Sequence, residues 1–158
     1  MNLIIREGTK KDMPAVFALI QELAEFENEP EAVQISIRDL EKDGFGTAPL
    51  FSCFVAEIDG TIEGMALFYN RYSTWKGKTI HLEDLVVKKS SRNKGIGKHL
   101  YRKVIEHAKE QGCQRVEWVV LNWNTNAVNF YKKSGATVFD DWQTVQMDKE
   151  AIDAFCSN

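Results

Sequence analysis

A chain of 158 residues, 44% hydrophobic and 27% charged, is long enough for one substantial core and has the make-up of an ordinary globular domain. Its net charge of −3 gives no general attraction to nucleic acid or an anionic membrane surface, so neither partner is expected. No apolar run approaches the roughly 20 residues that a membrane span needs, and charge at Arg6 and Glu7 interrupts the start, so no targeting segment is read there. Cys53, Cys113 and Cys156 are odd in number, widely spaced and without a CxxC motif. That pattern fits reduced thiols in a cytoplasmic protein better than a disulfide frame or zinc site. His81, His99 and His107 have no metal-ligand spacing, and no metal is expected.

In chain order, Leu3, Ile4 and Ile5 form a short first strand. Met13, Val16, Phe17, Ile20, Leu23 and Ala24 then recur at helical spacing, which predicts a helix over 10–26 capped by Thr9 or Asp12. Pro30 and a cluster of acids end it. Ser36 opens a second helical segment, SIRDLEKDG, closed by Gly44. The stretch 51–72 alternates around Asp59-Gly60, a turn pair that joins two strands in a hairpin. TIHLEDLVV is a third long strand. Ile96, Leu100, Val104, Ile105 and Ala108 predict a helix that Gly112 stops, followed by a strand RVEWVVL, a short helix NAVNFYKK and a last strand WQTVQMD. One mixed sheet with helices on its faces, in a single domain over 1–158, is the economical reading of this order.

The turn Arg92-Asn93-Lys94-Gly95-Ile96-Gly97 joins strand to helix, where bare N–H groups and the positive end of the helix dipole can hold a phosphate. A Walker loop would need a glycine where Arg92 stands and Ser or Thr where His99 stands; a dinucleotide fingerprint would need a small residue in place of Leu100. Neither is met. An RxxGxG turn with Arg92, Lys94 and Lys98 around it remains, and alone it serves equally as a plain connector.

Glu83 and Asp84, adjacent in the apolar strand, pose a second question. Successive strand side chains point to opposite faces, so one acid should face a buried or half-buried surface, where an unpaired charge is costly. They could be an ion-paired duo at a sheet edge or the acids of a cation-binding cleft.

RNKGIG (92–97) between strand and helix resembles the acetyl-CoA pyrophosphate loop of the GNAT N-acetyltransferase superfamily. DGFG (43–46), YSTWKGKTIHLEDLVV (72–87), VLNWNTNAVNFYKKSGA (120–136) and Trp142 are similar to the diamine acetyltransferases. Within that group, Ser73 in STWKG resembles the thialysine branch; the spermidine/spermine branch carries an acid there. The resemblance implies the GNAT fold, an α/β (α+β) architecture with a single mixed, largely antiparallel sheet and helices on both faces. It also implies a homodimer, and acetyl-CoA as co-substrate.

Acetyl transfer to an amine needs a neutral lone pair, a polarised carbonyl and a proton for the departing thiolate. An alkyl ammonium of pKa ~10.4 is almost wholly protonated at neutral pH, so a carboxylate in the acceptor site can attract the cation and then take its proton. The resemblance assigns this role to Glu83, the glutamate of the LED motif, which leaves Asp84 to steady the amine or a neighbouring backbone group. It implies a bulge that turns both acids to one cleft and frees N–H groups near Leu85, Val86 and Val87 for the pantetheine arm. It places the pyrophosphate on Asn93, Lys94, Gly95, Ile96, Gly97 and Lys98 with Arg92. The FYKKSGA match makes Tyr131 the acid for the leaving sulfur and a cofactor contact; its ring can equally pack on the sheet. Asn124 and Asn126 can bond pantetheine amides, or Asn124 can cap the helix.

Glu25, Glu27, Glu29 and Glu31 surround the end of the first helix, and Asp140 and Asp141 precede Trp142, so the acceptor end is acidic. The diamine enzymes raise Glu27, Trp75, Asp141 and Trp142: carboxylates meet a distal ammonium while indole faces flank an alkyl amine. The expected activity is acetyl transfer to a small cationic amine, thialysine- or lysine-like, diamine or polyamine. A protein or peptide N-acetyltransferase would need an open groove, and an acyl-CoA-binding sensor would not need both Glu83 and Tyr131.

Overall fold

The computed structural model describes residues 2–157. They form two compact units, one reaching Val119 and the other starting at Val120.

The first unit is built on a five-stranded sheet of order β1 (Leu3–Glu7), β2 (Ser52–Ile58), β3 (Thr61–Ser73), β4 (Gly77–Val87) and β5 (Arg115–Glu117). The first four strands are antiparallel neighbours, and β5 lies parallel to β4. The β2–β3 hairpin closes on Asp59 and Gly60, both with positive φ (48° and 84°), as a two-residue turn matched to strand twist demands. The parallel pair needs a crossover, which α3 (Ile96–Glu110) supplies.

Alternation along the strands sorts the core into two layers. Cys53, Val55, Met65, Leu67 and Val86 pack with Met13, Val16 and Leu19 of α1 (Met13–Phe26) and with Leu40 of α2 (Ile37–Phe45). The alternate residues Phe54 and Phe68 meet His107 of α3, with ring centroids 5.7 and 5.2 Å apart. The sheet is therefore covered on both faces, each helix by its apolar stripe. Arg6 of β1 fixes the start of α1: its guanidinium donates to both Asp12 oxygens at 2.8 and 2.9 Å and to Glu57 at 2.8 Å. Hydrogen bonding from Arg6 holds the Asp12 carboxyl down at about 2.

The second unit contains α4 (Thr125–Lys133) and α5 (Lys149–Cys156). Asn124 caps α4 by accepting from the Ala127 N–H at 3.3 Å, and Asp148 caps α5 by accepting from Ala151 at 2.8 Å.

Several boundaries differ from the sequence reading. Gly44 does not close α2 but is buried inside it, and the helix ends at Gly46. RVEWVVL is strand only over Arg115–Glu117. β5 pairs with β4 only across Thr79–His81, and the pairing stops just before the β4 bulge at Glu83. WQTVQMD forms no strand among the described residues; all seven are exposed, and a single extended segment without a ladder partner has no strand stability of its own. Helix α5 was not foreseen, although Asp148 three residues before Ala151 and the Lys149–Asp153 pair at 2.6 Å are ordinary helix-start and helix-face signals.

Candidate active site

The ladder between β3 and β4 slips by one residue at the two acids. Leu67 faces Asp84 but Phe68 faces Leu82, so Glu83 has no cross-strand partner. That bulge answers the question the sequence posed. Asp84 shares the face of its partner Leu67, while Glu83 shares the face of His81, two residues earlier and opposite Tyr69. Leu67 and Tyr69 themselves lie two apart on β3. All five side chains therefore face the α1–α2 side.

On that side Glu83 and Asp84 line a cleft of about 360 Å³, with Ile20 of α1, Leu40 and Asp43 of α2, and Phe51 before β2. Asp39 lines it too, so four carboxylates and no Lys or Arg are in the wall. Burial first, then the charges of Glu83 and Glu27, push the Asp84 carboxyl up to about 6. Glu27 stands at the C-terminal cap of α1, and its own carboxyl is raised by partial desolvation. Glu83 is half exposed, the side chain retaining 50% of its accessible surface. The Tyr69 hydroxyl donates to its Oε2 at 2.8 Å. His81 Nε2 is 3.5 Å from the same oxygen, and the His81 ring stacks on Tyr69 at 5.2 Å.

Beyond the bulge, β4 runs toward the glycine turn. Leu85, Val86 and Val87 pair with β3 on one side. Among the described residues their other edge has no strand, because the β5 pairing stops at His81. Val86 is buried in the α1-side core, so only its backbone is available to a ligand. In the turn, Asn93 and Gly95 take left-handed conformations (φ 64° and 78°), and Gly95 is the residue before α3. The first N–H groups of α3, at Ile96, Gly97 and Lys98, have no intrahelical acceptor. A Cβ placed on Gly97 would meet only Val87 Cγ2, at 3.6 Å. The fold itself therefore has room for a side chain at Gly97, and its absence leaves the helix start open to an anionic group, as a pyrophosphate requires. Asn93, Lys94 and Lys98 are exposed around it. Arg92 is engaged elsewhere: it donates to the Val87 carbonyl at 3.1 Å, lies 3.8 Å from Glu22 and stacks over Phe26 at 5.2 Å.

Trp75 is exposed at the β3–β4 turn and does not line the cleft. The remaining expected residues belong to the second unit: Asn124 as the cap of α4, Asn126 exposed in its first turn, Tyr131 half-buried in the same helix, and Asp141 and Trp142 exposed between α4 and α5. Tyr69, Asp39 and Asp43 were missed as cleft residues. Asp43 sits in the DGFG segment singled out for resemblance, and Tyr69 falls opposite His81 once the hairpin register is counted, so the signal for both was present.

A strand that runs past paired carboxylates into an anion-receptive helix start is the framework for moving an acyl group from an anionic carrier to a cationic acceptor. Residues 14–136 match the acetyltransferase (GNAT) family. The chain is 39% identical to a thialysine N-epsilon-acetyltransferase of Bos taurus, over 95% of both chains, and 38% identical to one of Caenorhabditis elegans, over 98% of this chain and 97% of that one. An aminoglycoside N-acetyltransferase solved in complex with CoA shares the fold at 19% identity, with a TM-score of 0.72 over 92% of this chain and 94% of that one. The protein belongs to the GNAT family and is an N-acetyltransferase, an enzyme class that uses acetyl-CoA.

Proposed function

We propose that this enzyme transfers acetyl directly from acetyl-CoA to a primary amine of a small cationic acceptor: a thialysine- or lysine-like amino acid, a diamine or a polyamine. The observation that carries the reading is the bulge at Glu83, which turns two adjacent acids into one cleft lined by four carboxylates. The cleft attracts an alkyl ammonium. Glu83, half open to solvent, accepts its proton directly or through water; the neutral nitrogen forms the new C–N bond as the C–S bond breaks. Tyr131 gives its phenolic proton to the departing sulfur, the acylated nitrogen sheds its second proton to solvent, solvent restores the phenol, and Asp84 holds the amine from the deeper wall. The N–H groups of Leu85–Val87 and the turn at Asn93–Lys98 hold the pantetheine and pyrophosphate. Asn124 and Asn126 add pantetheine contacts, and Glu27, Asp141 and Trp142 bind the distal part of the acceptor.

The 1–158 chain acts as one GNAT domain, a cytoplasmic homodimer in this reading. The single-domain part of this reading is supported by the family match, which extends from residue 14 to 136, and by the similarity along nearly the full chain to thialysine enzymes.

The test is a screen of thialysine, lysine, ornithine, diamines and polyamines with acetyl-CoA, reading free thiol, in wild type and Glu83→Gln. Wild type should acetylate at least one of these amines. The variant should lose turnover most severely near neutral pH and recover in part as rising pH supplies neutral amine from solution. Wild-type turnover in Glu83→Gln across the range would place the base elsewhere. Acetylation of a peptide lysine in preference to every small amine would favour the protein-modifying alternative.

A further inference from the structure

A bulge residue has lost the ladder that normally fixes where its side chain points. Glu83 is in that position, between Leu82 and Asp84 and without a partner on β3. Its anchor is instead a side chain: the Tyr69 hydroxyl donates to Oε2 at 2.8 Å. Tyr69 is held in turn by its cross-strand neighbour His81, whose ring stacks on it with centroids 5.2 Å apart and 28° between planes, and whose Nε2 lies 3.5 Å from the same Glu83 oxygen. His81 keeps only 13% of its side-chain surface, and among the described residues its buried Nδ1 has no hydrogen-bond partner.

From this arrangement we infer that Tyr69, with His81 behind it, is the positioning residue for the carboxylate of Glu83. The phenol occupies Oε2 and so leaves Oε1 as the oxygen that meets the acceptor's ammonium. This rests on the reading of Glu83 as the base. Tyr69 itself neither gives up nor receives a proton: its hydrogen bond restricts the carboxylate to one orientation, so that the proton of the amine passes to an oxygen already aimed into the cleft. Misalignment of a reacting group by about 1 Å costs roughly 100-fold in rate, and a half-exposed glutamate on a bulge has that freedom once its anchor is removed.

The decisive experiment is a double-mutant cycle of Tyr69→Phe and Glu83→Gln, measured as kcat at saturating amine and acetyl-CoA, with CoA affinity by calorimetry and melting temperature as checks on the fold. Phenylalanine keeps the ring and its stack on His81 and deletes only the hydroxyl. Tyr69→Phe should lower kcat by roughly 10- to 100-fold with little change in CoA affinity, and should have no further effect in the Glu83→Gln background. His81→Phe, which preserves the stack, should retain more activity than His81→Ala. Wild-type kcat in Tyr69→Phe, or an equal loss in both backgrounds, would overturn the positioning role while leaving Glu83 as the base. A Glu83→Gln variant that turns over normally would overturn both, and would identify the base assignment as the failing step.

Discussion

Asp84 and Glu83 are neighbours in the chain with different surroundings. Asp84 is opposite Leu67 and partly desolvated, its carboxyl raised to about 6 by burial and by the charges of Glu83 and Glu27. Glu83 reaches solvent and is hydrogen-bonded to a phenol. A deeper acid that gains from a cation and an outer acid with a route to water suit amine binding and proton removal respectively. The sequence showed that two acids shared a strand, but only the slipped register puts them on one face, and no composition or spacing rule located that slip. Tyr131 is the complementary case, visible through its motif alone. In Tyr131→Phe the ring stays and the proton donor goes, so acetyl-CoA affinity should be nearly unchanged while kcat falls by ~10²–10⁴-fold, the usual worth of general acid catalysis. Stopped-flow turnover alongside calorimetry checks this; wild-type turnover would return Tyr131 to a packing role.

Among the elements, the β4–turn–α3 unit was the most legible, because a strand of alternating apolar residues, a basic glycine turn and a helix-period stripe each have a local physical cause. Its two glycines nevertheless do different work. Gly95 holds φ at +78°, where a side chain is strained, whereas Gly97 has an ordinary conformation with room for a Cβ. Gly95→Ala should therefore destabilise the protein by about 1–2 kcal/mol, the cost of a left-handed residue. Gly97→Ala should leave stability unchanged or slightly higher, alanine being the better helix former, yet weaken CoA binding if the pyrophosphate approaches that backbone. Thermal unfolding and calorimetry on the pair separate the two effects; undiminished CoA affinity in a folded Gly97→Ala would remove the turn from the binding site. The elements that the sequence misread, the ends of RVEWVVL and the segment WQTVQMD, share a cause. Strand propensity reports a side chain's fitness for a pleated surface, not whether a neighbouring strand is there to pair with it.

At the scale of the whole molecule, two carboxylates with opposite displacements link the fold to pH. Asp12 joins β1, β2 and the start of α1 through Arg6, and its carboxyl is lowered from 3.8 to about 2 in the folded protein. A depressed carboxyl stabilises the fold above its unfolded value, and that contribution is lost as pH falls through about 4 toward 2. Asp84 has the opposite sign. Raised from 3.8 to about 6, it binds its proton more tightly in the folded state, so stability declines as pH rises from about 4 to 6 and stays reduced above. The upper bound on that decline is roughly 3 kcal/mol, diminished by the solvent that reaches the cleft. The two limbs cancel at about pH 4, near the shared unfolded value of 3.8, so the combined contribution of these two groups is greatest there. Asp84→Asn should flatten the decline from pH 4 to 6 and melt higher than wild type at pH 7; Asp12→Asn should melt lower than wild type above pH 4 and converge with it near pH 2. Melting temperatures of the three proteins across pH 2–8 test both limbs. A wild-type profile that rises monotonically to pH 7, with Asp84→Asn less stable there, would mean that Asp84 is compensated within the fold and does not hold an open charge for a cationic acceptor.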